Sequence, residues 1–242
     1  MLDLFGTVAI MATLLVVVVG FLNASDVSPS VRITVAALIG AWTGLAVATA
    51  LAGELSDQGR RAVPLIGVLF ATPLVVAAAA AILSPAVRRT MLDAPMALLI
   101  GLNATRLIGG FFVLLAVDGR LAGPFPHFAG WGDVITAVVA LPVAWQVARM
   151  ADDRDWLVGA WNAFGALDLF LAVILGVTSA PGSPLQLFGS EIGSAAVPTL
   201  PWSLIPTVLV PLYLIGHAII FAQLRRRRRS GTTGQILTPE RA

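Results

Sequence analysis

An all-α, polytopic membrane fold, a bundle of seven transmembrane helices, is predicted from three observations. The 242-residue chain is 58% hydrophobic and 12% charged, where a soluble domain carries about 25% charged residues. Seven stretches are apolar enough, at about 20 residues each, to cross a bilayer. The gaps between them collect proline, glycine, serine and charge, the residues of turns. The predicted spans are about 4–22, 31–53, 62–83, 95–117, 133–150, 156–178 and 201–224.

The first span carries Asp3 where a signal peptide would be basic, and it has no small-x-small cleavage pattern, so it reads as a retained helix. The second holds Gly40 and Gly44 in a G-x-x-x-G, and the third holds five alanines at 77–81. Small residues of this kind let helices approach closely where lipid gives no hydrophobic drive. The fourth carries Asn103 and Arg106. The fifth is the shortest; Asp133 reads as its N-cap, with an earlier start in the preceding aromatic stretch as the alternative. Its Gln146 stands beside Trp145 and reads as interfacial. Asn162 and Asp168 lie in the sixth span and His217 in the seventh. Pro73, Pro142, Pro206 and Pro211 fall inside spans, where each removes a helical hydrogen bond and favours a kink. The polar end of the chain, 225–242, reads as a basic, disordered tail.

Arginine counts set the orientation. Arg225–Arg229 follow the last span directly and are expected in the cytoplasm, which puts the N-terminus outside. Arg32, Arg88, Arg89, Arg149 and Arg154 then share the cytoplasmic side, against Arg60, Arg61 and Arg120 outside. Because the isoelectric point near 10.3 owes much to the terminal run, it marks no nucleic-acid surface. The expected partners are the lipid bilayer and a small solute or protein, with no nucleic acid.

Several chemistries are excluded. Cysteine is absent, so there are no disulfides, thiolate metal sites or cysteine nucleophiles. All 15 basic residues are arginine, which removes any lysine Schiff base. Two histidines cannot ligate two haems in bis-histidine fashion, and no H-E-x-x-H, Walker or G-x-S-x-G pattern occurs. The acidic turn of Asp152, Asp153 and Asp155 with Arg154 reads as solvated rather than as a cation site. No cofactor, metal or catalytic residue is assigned.

Intramembrane charge is costly, so such residues face the bundle and find partners. Arg106 and Asp168 fall at nearly the same depth of spans running in the same direction, and an ion pair between them is predicted. Asn103, three residues before Arg106, shares its face. Asn162 lies off the face of Asp168, whereas Trp161 shares it. His217 sits toward the cytoplasmic side of its span and reaches the pair only through a water or a kinked helix. In the stretch 119–133, Phe125, His127, Phe128 and Trp131 fit an aromatic belt. A rival to the N-cap reading puts Asp133 at a cavity mouth, competing with Asp168 for Arg106. With the span starting at 133, about 16 Å of helix rise separates them, which favours Asp168.

The stretches "TRLIGGFFVLLAVDGRLAGPFPHFAGWGDVITAVVALPVAWQVAR", "WNAFGALDLFLAVILGVTSAPG" and "LIPTVLVPLYLIGH" resemble a group of bacterial multi-pass membrane proteins of unassigned function. The resemblance covers roughly residues 100–220. It rests on Arg106, Gly109, Phe128, Gly130, Gly132, Asp133, Trp161, Asn162, Gly165, Asp168, Pro206, Pro211 and His217. It implies a bacterial inner-membrane protein of this topology and no particular activity. The all-arginine basic residues and the alanine-, valine- and glycine-rich usage also suggest a GC-rich bacterial genome.

Three roles are compatible with the sequence. The favoured one is a structural staple for the Arg106–Asp168 pair in an accessory, sensor or binding protein. The alternative is a small-solute or proton-linked transporter built on the same polar residues. The least favoured is a lipid-modifying enzyme using Asp133, His127 and Asp168, which needs its acid and base within hydrogen-bond reach.

Overall fold

A computed structural model describes residues 1–24, 27–56, 64–149 and 155–236, with side chains described to residue 229. Among these described residues it is helical, with seven helices long and apolar enough to cross a membrane. The first three spans are Leu2–Asn23, Pro29–Leu51 and Leu65–Leu83. The next three are Met96–Val117, Phe125–Arg149 and Asp155–Thr178. The seventh begins with a π-helical turn, Ile205–Leu209, and continues as an α-helix over Val210–Ile236.

Several expectations change. The helix after the seventh span's start runs through Arg225–Arg229 to Ile236, beyond the predicted end; residues 237–242 lie outside the described residues, as do Arg60, Arg61, Asp152, Asp153 and Arg154. The expected loop 84–93 contains a short amphipathic helix, Pro85–Asp93. Ser84 starts it by accepting from the Val87 amide at 3.3 Å, and proline suits the first helical position. The fifth span starts at Phe125, not at 133. Glycine, proline and aromatic residues in 123–132 imitate a loop, yet Pro124 and Pro126 lie where a helix start has amides to spare.

The fifth span runs antiparallel along the fourth. A Cβ on Gly110 would lie 3.6 Å from Val134 and one on Gly101 3.9 Å from Ala144, so rising numbers on one meet falling numbers on the other. The sixth packs against the fifth, and the seventh packs against the sixth. Trp202 anchors the first span: it is fully buried, and its indole fills the space beside Gly6. Its Nε1 donates to Asp3 at 2.9 Å, and Asp3 also pairs with Arg120 at 2.7 Å.

The second and third spans are peripheral. Only 6% of each spanning window is buried, against 50% in the fourth and 67% in the seventh. The second docks through Trp42, whose Nε1 donates to the Thr207 carbonyl at 3.0 Å. That carbonyl lies in the π turn, where helical hydrogen bonding is irregular. The expected close contact at Gly40 and Gly44 is not made: a Cβ at either would meet nothing within 4 Å.

At one end of the bundle, Arg226 pairs with Asp93 at 3.1 Å and Arg227 with Asp155 at 3.2 Å. The Asp3–Arg120 pair marks the opposite end.

Candidate functional site

Arg106 sits where the fourth span is irregular. Met96–Leu102 is α-helical, Asn103–Gly109 is a 3-10 segment, and Gly110–Val117 is α-helical again. The tighter winding changes where side chains point around the helix axis. The Arg106 side chain is 0% exposed.

Its guanidinium reaches three other spans. Nη2 donates to Asp168 Oδ2 at 2.5 Å, the pair expected from the sequence. Nε donates to Asp133 Oδ1 at 2.6 Å. Nη1 donates to the Gly165 carbonyl at 3.1 Å and to His217 Nε2 at 3.3 Å. The centre therefore joins Asp133 of the fifth span, Asp168 and Gly165 of the sixth and His217 of the seventh.

Asp133 is the main correction. It is neither an N-cap nor an outer-face residue; it is 6% exposed and inside the helix. The reason is the earlier start of the span, which places Asp133 two turns in, about 12 Å deep. Because the helices are antiparallel, this brings it level with Arg106. Asp133 does not displace Asp168: the planar fork of arginine serves both carboxylates from different nitrogens.

Glycine makes the room. A Cβ on Gly109 would collide with the Asp133 carboxylate, and one on Gly132 with that of Asp168. At Gly165 it would lie 2.7 Å from His217 Cε1 and 3.0 Å from the Thr136 methyl. Each of the three side chains bound to Arg106 thus occupies space that a facing glycine leaves open.

His217 joins directly, without an intervening group. The seventh span carries the π turn at Ile205–Leu209 with Pro206 in it. His217 Nδ1 lies 2.7 Å from Asn162 Oδ1, and Asn162 Nδ2 donates to the His217 carbonyl at 3.1 Å. Asn162, off the face of Asp168 as expected, therefore enters the network through His217. Trp161 donates Nε1 to the Thr136 carbonyl at 3.1 Å and tilts against the imidazole with ring centroids 5.5 Å apart.

Asn103 is buried but does not hydrogen-bond to the guanidinium. Its amide donates to the Leu99 carbonyl at 3.0 Å, and its Oδ1 has no hydrogen-bond partner among the described residues. His127 and Trp131 are exposed on the outside of the fifth span, turned away from Asp133. The arrangement the lipid-modifying reading required, His127 beside Asp133, is not formed.

Two contributors went unnoticed in the sequence. Tyr213, the one tyrosine of the chain, lies one turn before His217, with its ring centroid 6.0 Å from the Arg106 guanidinium carbon and its hydroxyl 2.7 Å from that of Thr105. Its i−4 spacing from His217 was the available signal. Thr136 lies one turn after Asp133 and is 0% exposed, with its hydroxyl unpartnered among the described residues.

An apolar cavity of about 210 Å³ lies elsewhere, lined by Phe70, Phe112, Phe125, Val173 and Ile205 among others. No residue of the Arg106 centre lines it.

The model of a family described as Domain of unknown function (DUF8737) matches residues 63–225, from the third span to the start of the arginine run. No curated protein matches the chain, and no solved structure does.

Proposed function

The chain belongs to the DUF8737 family of unknown function, and from that premise we propose that its Arg106 centre is a structural staple within an accessory or ligand-binding membrane protein. The observation that carries this reading is the enclosure of Arg106. Its side chain is 0% exposed, and its guanidinium makes four hydrogen bonds to acceptors on three other spans. A buried charge held this way fixes which helices pack together, a use that such pairs serve at the expense of desolvation.

The test is replacement of the cation. Arg106→Gln strands two carboxylates inside the bundle, and loss of one side of a buried pair typically costs about 3–5 kcal/mol. Folded yield after detergent extraction should fall sharply. The triple change Arg106→Gln, Asp133→Asn, Asp168→Asn removes every stranded charge and should recover much of that yield. Wild-type yield and unfolding midpoint in Arg106→Gln would end the staple reading.

A proton-linked carrier is the second reading. It is favoured by the irregular backbone of the fourth and seventh spans, since transport sites are commonly built at discontinuous helices. Proteoliposomes that dissipate a pH gradient faster than protein-free vesicles would favour it over the staple.

For location, we propose the cytoplasmic membrane of a bacterium, with the C-terminus inside. The support is the gathering of Arg88, Arg89, Arg149 and Arg225–Arg229 toward one end of the bundle.

A further inference from the structure

The hydrogen bonds determine the charge of the Arg106 centre. Arginine has donors only, so His217 Nε2 accepts from Nη1. Asn162 gives its amide hydrogen to the His217 carbonyl, which turns its Oδ1 toward His217 Nδ1. The imidazole is therefore the neutral tautomer, with its hydrogen on Nδ1. One guanidinium then faces two aspartates. With both ionised, the centre carries one negative charge in excess.

Among the described residues, the surrounding elements supply no cation to balance it. From the seventh span the facing titratable groups are His217, neutral by its bonds, and Tyr213, whose hydroxyl is bonded to Thr105. The fifth and sixth spans contribute the two aspartates themselves. The first span also packs against Asn103–Gly109, and its one acid, Asp3, is held at the end of the bundle by Arg120 and Trp202. An unbalanced charge at this depth is expensive in hydrocarbon.

We propose that the Arg106 centre is a proton-binding site, in which one proton on the Asp133–Asp168 pair brings the net charge to zero. The inference deepens the staple reading and rests on it, because the contacts that tie the helices are the ones that create the imbalance. One carboxylate oxygen gains the proton, and the acid so formed keeps a carbonyl oxygen that still accepts from Arg106. The carboxylates lie at the rim of the centre: their side chains retain 9% and 7% exposure, against 0% for Arg106. Thr136, on the face of Asp133 and one turn away, has a buried hydroxyl that can both give and accept a hydrogen bond.

The test is infrared spectroscopy of the full chain in lipid nanodiscs. At neutral pH the wild type should show the C=O band of a protonated carboxylic acid, shifted by exchange into D₂O and lost reversibly at high pH. The band should disappear in either Asp133→Asn or Asp168→Asn. No such band at any pH where the protein stays folded would overturn the proposal, as would a band that survives in both variants. If neither variant folds, the wild-type spectrum decides alone. The staple reading fails on a different measurement, the yield of Arg106→Gln, so the two failures are distinguishable.

Discussion

Arg106 divides its nitrogens between two carboxylates, and this sharing sets what single substitutions do. Asp133→Asn and Asp168→Asn each keep an oxygen aimed at the guanidinium and leave one counter-charge in place. Each should cost about 1 kcal/mol, the worth of an ordinary hydrogen bond. The double variant buries Arg106 with no counter-charge and should cost about 3–5 kcal/mol. Unfolding midpoints in detergent close the cycle, and groups in one network are expected to be non-additive. A single variant as damaged as the double would show that the remaining carboxylate does not compensate. The Arg106–Asp168 contact was legible in the sequence because it needed only depth, counted along two helices. Asp133 was misread because depth is counted from a helix end, and that end was hidden. Phe125, Pro126, His127, Gly130 and Gly132 have the chemistry of a loop, while the packing that makes them helical lies on other spans.

At the level of elements, close approach is decided by what faces a glycine, not by the motif around it. Gly40 and Gly44 have the spacing of a helix-contact motif, yet a Cβ there meets nothing within 4 Å. Gly132 sits in no recognised motif, and a Cβ there would strike the Asp168 carboxylate. Gly132→Ala should therefore destabilise by about 1–3 kcal/mol, the usual cost of overpacking. Gly40→Ala and Gly44→Ala should change stability little, and each gains the helix propensity of alanine, up to about 1 kcal/mol. Thermal unfolding of the three purified variants compares them directly; equal loss at Gly44 and Gly132 would contradict the packing described. The seven spans among the described residues were all legible in the sequence, since length and apolarity are properties of one helix. The 3-10 segment around Arg106 was not, because nothing in "NATRLIG" forbids an α-helix. Pro206 did announce irregularity in the seventh span, and the π turn forms there.

For the whole molecule, the two ends of the bundle are chemically unlike. Arg226 and Arg227 meet Asp93 and Asp155 at one end, which places the short helix Pro85–Asp93, the start of the sixth span and the last helix on the same side. Asp3, Arg120 and Trp202 meet at the other. An odd number of spans puts the termini on opposite sides, so a single orientation decides every connection. The end with Asp93 and Asp155 also carries Arg88, Arg89, Arg149 and the run Arg225–Arg229, whereas Arg120 stands at the opposite end. Arginine near span ends is retained on the cytoplasmic side. A fluorescent protein fused after residue 242 should therefore fold and fluoresce in a bacterial cytoplasm, and an alkaline phosphatase fused there should be inactive. The same phosphatase inserted beside Arg120 should be active. Replacing Arg225–Arg229 with glutamine removes the strongest determinant while leaving Arg88, Arg89 and Arg149, so it should weaken the bias and yield a mixture of orientations. A phosphatase active after residue 242 in the unaltered chain would invert the topology, yet it would leave the Arg106 centre intact, because that centre lies among the spans and is indifferent to which end faces the cytoplasm.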